Sequence, residues 1–492
     1  MGSPGRPAPA NLLFFVSDNH NRALAGCYGH PNATTPNLDR IAARGVRFAN
    51  AYSASPLCCP ARAALATGRY PHQTGFFDNA IVYDGSVPSW MHRLRGQGHH
   101  VASIGKLHYR ATEDDNGFSE ELLAMHILDG KGGTQMLLRG FDDERVNPGQ
   151  FELYMERSGI GTAPYQSFDV RITEAAETWL EEHGRGQEKP WALFVSYPSP
   201  HPPFRVPERL YRLHPEDEVP LPGHFRPDER AEHPALDHLR KIMATGEITD
   251  EALVRRIAAG YLGLIAHLDE QIGRVMAKLE ALGLMENTRI MYTSDHGDLA
   301  GEHGLLGKCS MYEGSIGVPL LMCGPGVPAG GVSQQIASHT DLFPTIVEAV
   351  GAELAPEDDS LPGASLWPAI QGQDAQRTGF AEYHAVGSKT GVFMLREGDL
   401  KLVYYVGMPP QLFDLATDPD EVRDLVKDGS GLVQAKRLEA KLRAICDPEA
   451  VDAEAKASQR AWAEHWGGRE AVAAEGFLVY TPPPGHDAEI ER

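Results

Sequence analysis

The 492-residue sequence predicts an α/β protein with a large, mixed but mostly parallel sheet sandwiched by helices and a smaller C-terminal α+β domain. Two observations lead to this prediction. Short apolar runs alternate along the chain with segments of helical periodicity, which is typical of parallel strands buried on both faces. Two of these runs also end directly in acidic clusters, as expected at the carboxyl edge of an open α/β sheet.

The chain opens as a β-α-β unit. Residues 12–16 form an uninterrupted apolar run and are a predicted strand. A helix is predicted next, with Thr35 as its N-cap, Pro36 in its first turn and Gly45 as its left-handed stop. A second strand is predicted to begin at Val46, which favours a mostly parallel sheet with helices on its faces.

The alternation continues along the first two thirds of the chain. Residues 101–104, 191–195 and 289–293 are predicted buried strands, and residues 253–282 carry apolar side chains at helical spacing. Residues 205–249 are rich in proline, histidine and charge and have little periodicity. We interpret that stretch as an insertion near the mouth of an active site.

The C-terminal third has a different pattern. A polar stretch at residues 353–360 suits a domain seam. Short predicted strands and one helix follow, at residues 392–395, 401–405, 411–415 and 432–445. We divide the chain into a catalytic domain, a smaller α+β domain and a tail, at residues 1–370, 371–460 and 461–492. The aromatic residues of the tail predict that it packs on the protein or on a neighbouring subunit.

Composition excludes several classes of function. A formal net charge of −22 disfavours nucleic acid and anionic membrane surfaces as partners. No apolar stretch is long enough to span a bilayer, and the early apolar run lacks the features of a signal peptide. Six cysteines in a chain of this length do not form a disulfide framework. We therefore expect a cytoplasmic protein that binds no nucleic acid and no membrane.

The two acidic clusters predict a metal site. Asp18 and Asn19 follow the first strand, and Asp295 and His296 follow the strand at residues 289–293. Hard oxygen ligands from distant segments suit Ca²⁺. The single imidazole keeps Mn²⁺ open as an alternative.

One short motif indicates a specific family. Cys58 is followed by Pro60 and Arg62 and then by Thr67 and Gly68. This C-x-P-x-R…T-G pattern resembles the maturation signal of the type I sulfatases, in the alkaline phosphatase superfamily. In that family the cysteine is oxidised to formylglycine, and the hydrate of this aldehyde is the nucleophile.

Other segments match the same family in the same order over residues 11–420. They are the G-K-x-H motif at residues 105–108, the proline-flanked histidine at 199–203, the D-H-G run with its downstream Lys, Glu and Val-Pro at 295–319, and residues 338–345. The Asp-His pair and residues 382–384 and 410–415 resemble the branch that contains choline sulfatases and phosphonate monoester hydrolases. Lys106 and His108, the pair in the G-K-x-H motif, favour sulfate esters within that branch.

The resemblance implies roles for individual residues. Cys58 would supply formylglycine, and one divalent metal would be held by the four residues of the two acidic clusters. Arg62, Lys106 and Lys308 would stabilise charge, while His201 would assist the leaving alcohol. His108 would release the sulfate from a covalent sulfo-enzyme. The expected substrate-binding residues are Asn79, Glu382 and His384.

The sequence therefore predicts a sulfatase that hydrolyses a small sulfate monoester to an alcohol and inorganic sulfate. A phosphonate monoester or phosphodiester hydrolase would use the same groups, and a non-catalytic anion-binding protein is a more remote alternative. A thiolate metal or redox protein is disfavoured because no second cysteine or histidine pair has zinc-like spacing. The implied partners are a formylglycine-generating enzyme and further copies of the chain in a homo-oligomer.

Overall fold

The computed structural model describes residues 7–143, 145–146, 152–244 and 250–491. Its strands in chain order are β1 (Asn11–Ser17), β2 (Gly45–Tyr52), β3 (Val101–Lys106), β4 (Glu120–Met125), β5 (Gly159–Ile160), β6 (Ala192–Ser196), β7 (Arg205–Val206), β8 (Thr288–Ser294), β9 (Leu320–Cys323), β10 (Gly331–Ser338), β11 (Thr378–Tyr383), β12 (Val392–Glu397), β13 (Leu400–Tyr405), β14 (Gln411–Asp414), β15 (Phe477–Leu478) and β16 (Ile490–Glu491).

The α-helices of the described residues are α1 (Pro36–Ala43), α2 (Cys58–Thr67), α3 (Pro71–Thr74), α4 (Trp90–Gly96), α5 (Pro164–His183), α6 (Glu208–Tyr211), α7 (Pro234–Ile242), α8 (Glu251–Ala281), α9 (Glu313–Ile316), α10 (Leu342–Val350), α11 (Trp367–Ile370), α12 (Leu432–Ile445), α13 (Pro448–His465) and α14 (Arg469–Ala474). A 3₁₀ helix at Thr134–Phe141 also takes part in packing.

The central sheet has eight strands in the order β10-β2-β9-β8-β1-β6-β3-β4. Strand β9 runs antiparallel to both of its neighbours, and the other pairs are parallel. The predicted mixed, mostly parallel sheet is therefore confirmed. The predicted strands at residues 12–16, 101–104, 191–195 and 289–293 all correspond to strands of this sheet, except that Trp191 precedes β6.

Side-chain alternation along β1 explains why helices cover both faces of this sheet. Leu13 and Phe15 point to one core, where they join the apolar faces of α5 and α8. Leu12 and Phe14 point to the opposite core, which α4 and α10 complete. All of these side chains are fully buried, so the strand has no solvent-facing side and reads as a continuous apolar run.

The first helix ends differently from the prediction. Helix α1 is capped by Arg44, and Gly45 is already the first residue of β2. Gly45 is required there by close packing, because a Cβ atom would lie 2.0 Å from the carbonyl oxygen of Met322. Its role is the close approach of β2 to β9, not a left-handed helix stop.

The C-terminal part contains a second sheet. Strands β11 to β14 form a four-stranded antiparallel sheet, against which α12 packs. The predicted strands and helix of this α+β unit are present, and β11 is an additional strand. Residues 356–360 of the predicted seam form a short 3₁₀ helix, where Asp358 pairs with Arg93 of α4 at 2.8 Å. The proposed bounds of the domains remain a prediction.

The tail packs on its own chain. Helix α13 lies against the 3₁₀ helix at Thr134–Phe141, and Trp462 and Trp466 cover Leu137 and Leu138. Beyond it, β15 and β16 pair as a hairpin. Within the described ranges, no helix combines the length and the apolar character needed to cross a membrane.

Candidate active site

The two acidic clusters meet at the carboxyl edge of the central sheet. Strands β1 and β8 are parallel neighbours in a register that pairs Ser17 with Ser294. Asp18 and Asp295 follow these residues, so both carboxylates emerge side by side. The backbone N–H of Asn19, a left-handed residue with φ of 73°, donates to Asp295 Oδ1 at 3.2 Å.

Helix α2 brings Cys58 to this edge. Cys58 is the first residue of the helix, and all ten helical residues are buried. Its Sγ atom lies 3.7 Å from Asp18 Oδ1, 3.2 Å from His296 Nε2 and 3.3 Å from Lys308 Nζ. Cys59 faces a separate apolar contact, and burial raises the pKa of its thiol. Of these two neighbouring cysteines, Cys58 is therefore the one at the site.

The donor atoms of this cluster fit a divalent cation. One ligand atom each from Asp18, Cys58, Asp295 and His296 lie within 4.8 Å of one another, and all four residues are buried. His296 Nδ1 donates to the carbonyl oxygen of Gly297 at 2.9 Å, which leaves the Nε2 lone pair facing the cluster. Burial lowers the pKa of His296, so the ring is neutral as a metal ligand must be.

Asn19 differs from the other predicted ligands. Its Oδ1 accepts a hydrogen bond from Lys308 Nζ at 2.8 Å, and its Nδ2 donates to Asp298 at 2.6 Å. The amide oxygen is thus shared with a lysine in this arrangement. Asn19 lies at the site, since the same Lys308 Nζ also lies 3.3 Å from Cys58 Sγ.

Three cations surround the carboxylates. Lys106 Nζ lies 2.6 Å from Asp18 Oδ2, and Arg62 Nε lies 2.8 Å from Asp295 Oδ2. Burial alone would raise the pKa of Asp18, but Lys106 and Lys308 outweigh it and hold that pKa well below its ordinary value. Burial and the neighbouring Asp18 instead raise the pKa of Asp295 to about 6. A cation at the cluster would favour the ionised form of both.

His108 reaches the site by an unexpected backbone path. The spacing predicts that Lys106 and His108 share one face of a strand, but β3 ends at Lys106 and His108 has a φ of 57°. The left-handed turn, not strand alternation, directs the imidazole. Neither ring nitrogen of the buried His108 has a hydrogen-bond partner among the described residues. Burial, then Lys106 and Arg62, hold the pKa of His108 well below 6.5.

His201 lies in a loop between two cis prolyl bonds, Ser199-Pro200 and Pro202-Pro203. Its Nδ1 donates to the carbonyl oxygen of Pro202 at 2.7 Å, and its ring packs edge-on against Tyr165. Burial, then Lys308, lower the pKa of His201 well below 6.5. In the free protein its Nε2 therefore carries no proton at neutral pH.

A single cavity collects most of the predicted catalytic residues. Cys58, Lys106, His108, His201 and Lys308 all line it. Arg62 lies behind the wall, where it holds Asp295 and donates to Ser196 Oγ at 2.9 Å.

The predicted substrate-binding residues divide into two groups. Asn79 lines the cavity, although its Oδ1 already accepts from the backbone N–H of Cys59 at 3.0 Å. Glu382 and His384 are fully buried outside the cavity lining: Glu382 pairs with His384 at 2.9 Å and with His72 at 2.8 Å. A direct contact with substrate does not fit this placement, because these two side chains are committed to each other and to α3.

Sequence reasoning missed residues that support the site from behind. Asp298 accepts from Asn19 and from Tyr154 Oη at 2.7 Å. Ser199 Oγ donates to the buried Asp169 at 2.5 Å, while the Ser199 carbonyl accepts from the backbone N–H of Asp18 at 3.4 Å. Asp298 directly follows the D-H-G run at residues 295–297, so its place beside a predicted site motif is a signal that the sequence contains. Asp169 lies in α5 without any motif, so only the fold reveals it.

The chain is similar to known sulfatases over most of its length. The sulfatase family profile matches residues 10–352, and the profile for the C-terminal part of N-sulphoglucosamine sulphohydrolase matches residues 301–447. Choline-sulfatase of Rhizobium meliloti (strain 1021) is 33% identical over 471 residues, covering 93% of this chain and 90% of the relative. Arylsulfatase K of Danio rerio is 29% identical over 470 residues, covering 90% and 84%.

Solved structures share the fold. A protein crystallised with its substrate D-glucosamine-2-N,6-O-disulfate superposes with a TM-score of 0.73 at 24% identity, covering 90% of this chain and 99% of that one. The phosphonate monoester hydrolase of Agrobacterium radiobacter superposes with a TM-score of 0.71 at 24% identity, covering 88% and 95%.

Proposed function

This chain belongs to the sulfatase family of hydrolases, and we propose that it cleaves a small sulfate monoester into an alcohol and inorganic sulfate. The reaction would use a formylglycine made from Cys58 and pass through a covalent sulfo-enzyme. The observation that carries the proposal is the position of Cys58 Sγ, within 4 Å of Asp18, His296 and Lys308 in a cavity lined by His108 and His201.

Asp18, Asp295 and His296 would hold one divalent metal, with Asn19 as a further oxygen donor. Two carboxylates favour Ca²⁺, and the imidazole is compatible with Mn²⁺. When bound, the metal supplies Lewis acidity that lowers the pKa of a hydroxyl beside it and draws charge from the sulfuryl group. The adjacent buried carboxylates support the proposal because two such charges need a cation between them.

The cations of the site would stabilise the sulfuryl oxygens. Lys106 and Lys308 line the cavity, and Lys308 Nζ lies 3.3 Å from Cys58 Sγ. Burial would lower the pKa of Lys308, but Cys58 and Asp18 raise it overall, so this lysine stays charged. Arg62 orients both carboxylates from behind. Fixed charges in a buried site stabilise developing negative charge without reorganisation.

Two histidines would move protons in different steps. In the first step a hydroxyl group of the formylglycine hydrate loses its proton to solvent and its oxygen bonds to sulfur, while the bond from sulfur to the alcohol oxygen breaks. The departing oxygen takes a proton from the charged Lys308 or from His201 in its protonated form. In the second step His108 removes the proton of the remaining hydroxyl, the carbon–oxygen bond to sulfate breaks, and the aldehyde re-forms. The low pKa of His108 supports this role, since a neutral imidazole can accept a proton.

A phosphonate monoester or phosphodiester hydrolase remains the second candidate, because the same charges would stabilise a phosphoryl group. The retained pair of Lys106 and His108 favours sulfate. The test is a comparison of kcat/KM for 4-nitrophenyl sulfate and for the 4-nitrophenyl monoester of phenylphosphonate. We expect the sulfate ester to be preferred, and a preference for the phosphonate would reverse the assignment.

A formylglycine-generating enzyme would act on the chain during maturation. The cytoplasmic location and the homo-oligomer also stay proposals. The metal is tested by exhaustive chelation, followed by titration with Ca²⁺ or Mn²⁺ and measurement of bound ion per chain. We expect one ion per chain, and we expect its loss in Asp295→Asn.

A further inference from the structure

The wall of the cavity opposite the reacting groups has a distinct chemistry. Beyond Cys58, the lysines and the histidines, its described lining is mainly aliphatic or thioether side chains with three tyrosines. The aliphatic and thioether members used in this argument are Ile127, Met136, Leu153, Met243, Leu306 and Leu478. No aspartate or glutamate lines the cavity among the residues that the structure describes.

The tyrosine hydroxyl groups are already engaged within the protein. Tyr154 Oη donates to Asp298 Oδ2 at 2.7 Å, and Tyr165 Oη donates to the carbonyl oxygen of Thr481 at 2.7 Å. Tyr480 Oη lies 3.4 Å from Glu489 Oε1. The tyrosine oxygens can still accept a hydrogen bond, but Tyr154 and Tyr165 have no free O–H to donate, so the hydroxyls of a polyhydroxylated ligand would be poorly paired along this lining, which costs affinity.

The charges that face the cavity disfavour a cationic alcohol. Lys106 and Lys308 line it directly, and Lys106 Nζ lies 5.9 Å from the centre of the Tyr165 ring. That ring face already interacts with an ammonium group, and the ring also packs edge-to-face with Tyr480 at 5.3 Å. A second cation placed here would meet two like charges, and Asp18, the carboxylate that pairs with Lys106 at 2.6 Å, does not itself line the cavity.

The C-terminal hairpin closes this end of the cavity. Leu478, Val479, Tyr480 and Thr481 line it, and Val479 and Tyr480 also belong to the core beneath the central sheet. Mostly apolar residues at this part of the lining favour an apolar group and limit its size.

We infer that the substrate is the sulfate ester of a small, uncharged and largely apolar alcohol, with the hairpin residue Leu478 as a specificity determinant. This inference rests on the proposed function, since it assigns the group that occupies the cavity beside the reacting sulfuryl group. It differs from the cationic alcohol and the amino sugar that appear in the names of two similar proteins.

The direct test measures binding without turnover. In full-length Cys58→Ala protein, calorimetry compares 3,3-dimethylbutyl sulfate with choline sulfate, its cationic isostere, and with D-glucosamine 6-sulfate. We expect 3,3-dimethylbutyl sulfate, the ester of the uncharged alcohol, to bind at least about tenfold more tightly than either of the others. Equal or tighter binding of choline sulfate or of the sugar sulfate would overturn the inference.

A matched pair of variants then tests the hairpin. Leu478 and Ile490 are cross-strand partners, but Ile490 lies outside the cavity lining and is 49% exposed. In the Cys58→Ala background, Leu478→Asp should shift the ratio of the two affinities towards choline sulfate by about tenfold. Ile490→Asp should leave the ratio unchanged. An unchanged ratio in a folded Leu478→Asp variant would also overturn the inference.

Turnover separates this inference from the proposed reaction. Hydrolysis of 4-nitrophenyl sulfate by the matured protein with Cys58 tests the reaction alone. If hydrolysis is absent while the binding preference holds, the proposed reaction fails and the assignment of the pocket stands. If hydrolysis occurs and the preference is reversed, only the assignment of the pocket fails.

Discussion

At the residue scale, the site separates two histidines by their surroundings. His108 is buried beside Lys106, and neither of its ring nitrogens has a hydrogen-bond partner in the described chain. His201 is half-buried and its Nδ1 is fixed by the carbonyl of Pro202. Both rings are neutral in the free protein, so their different tasks must come from their positions around Cys58 and from the charge that the substrate brings.

His108→Ala should stop the reaction after its first half. Without a base for the second hydroxyl, the sulfo-enzyme cannot release sulfate, and steady turnover should fall by about 10² to 10⁴. We expect a burst of one alcohol per active site, followed by detection of a sulfated peptide around position 58. His126→Ala is the control, because His126 pairs with Glu121 outside the cavity lining and should turn over normally. A fall in turnover without a burst would contradict the assigned step.

The role of His201 predicts a pH dependence that differs between esters. Burial and Lys308 place its pKa below 6.5, so its protonated form increases as the pH falls through that lowered value. An alkyl sulfate needs a proton for its leaving alcohol, but 4-nitrophenyl sulfate scarcely does. The ratio of kcat/KM for the alkyl ester to that for the nitrophenyl ester should therefore rise as pH falls. In His201→Ala the ratio should be lower and independent of pH, and an unchanged slope would assign the proton to Lys308.

The sequence predicts the reactive polar residues of the cavity lining because these residues stand in short motifs. Cys58, Lys106 and Lys308 stand at fixed places in such motifs, and the structure brings them together. Side-chain direction is harder to predict. The direction of the His108 side chain depends on the left-handed backbone conformation of His108 itself. Glu382 pairs with His384 and His72 outside the cavity lining, and residues 72 and 382 are far apart in the sequence.

At the element scale, a buried group of charges joins the two sheets. Glu313 at the start of α9 pairs with Lys401 of β13 at 2.8 Å and with Arg22 at 2.7 Å. Burial would raise the pKa of Glu313, but Lys401 and Arg22 outweigh it and hold that pKa below its ordinary value. Lys401 also lies 2.8 Å from Glu421, so one fully buried lysine serves two carboxylates.

Lys401→Met should therefore destabilise the fold. Loss of the cation leaves the buried carboxylate of Glu421 without its paired lysine and removes one of the cations beside Glu313, which costs about 3–5 kcal/mol. Lys441→Met is the matched control, since Lys441 pairs with Glu397 at the surface with a side chain 46% exposed, and its loss should cost less than about 1 kcal/mol. Denaturant unfolding measures both. Equal costs for the two variants would mean that the buried pair does not hold the sheets together.

The elements themselves were predictable where burial is two-sided. Strands β1, β6 and β8 read as apolar runs because helices cover both of their faces. The sequence predicts the wrong role for Gly45, because the backbone that leaves no room for a side chain there belongs to Met322, which is distant in the sequence. Strand β11 is not predicted from the sequence, because its last residues are interpreted as part of the motif at residues 382–384 and not as a strand.

At the scale of the whole molecule, the tail completes the cavity from within the same chain. Val479 and Tyr480 are covered by the core of their own protomer. The apolar residues of the tail need a surface to cover them, and here their own chain supplies one. The oligomer itself stays a prediction that needs mass measurement in solution.

Deletion of residues 477–492 should open the cavity without changing assembly. The deletion removes four lining residues, so we expect KM for a small apolar sulfate ester to rise by about tenfold or more. Light scattering should report the same number of chains per particle as for the full-length protein. Thermal unfolding serves as the control that the remainder is folded. A changed particle mass would show instead that the tail connects subunits.

The proposed reaction depends on an aldehyde at position 58, which would be the nucleophile in sulfate-ester hydrolysis. The most direct measurement is peptide mass mapping of protein co-expressed with graded amounts of a formylglycine-generating enzyme, paired with sulfate release from 4-nitrophenyl sulfate in each sample. Cys59→Ala is the matched control and should behave as the unmodified sequence does. We predict that the aldehyde is found at Cys58 and that sulfate release rises in proportion to its fraction. Two results would contradict formylglycine at position 58 as the nucleophile: sulfate release from protein that retains the thiol at Cys58, or an aldehyde at Cys59 whose fraction rises in proportion to the activity.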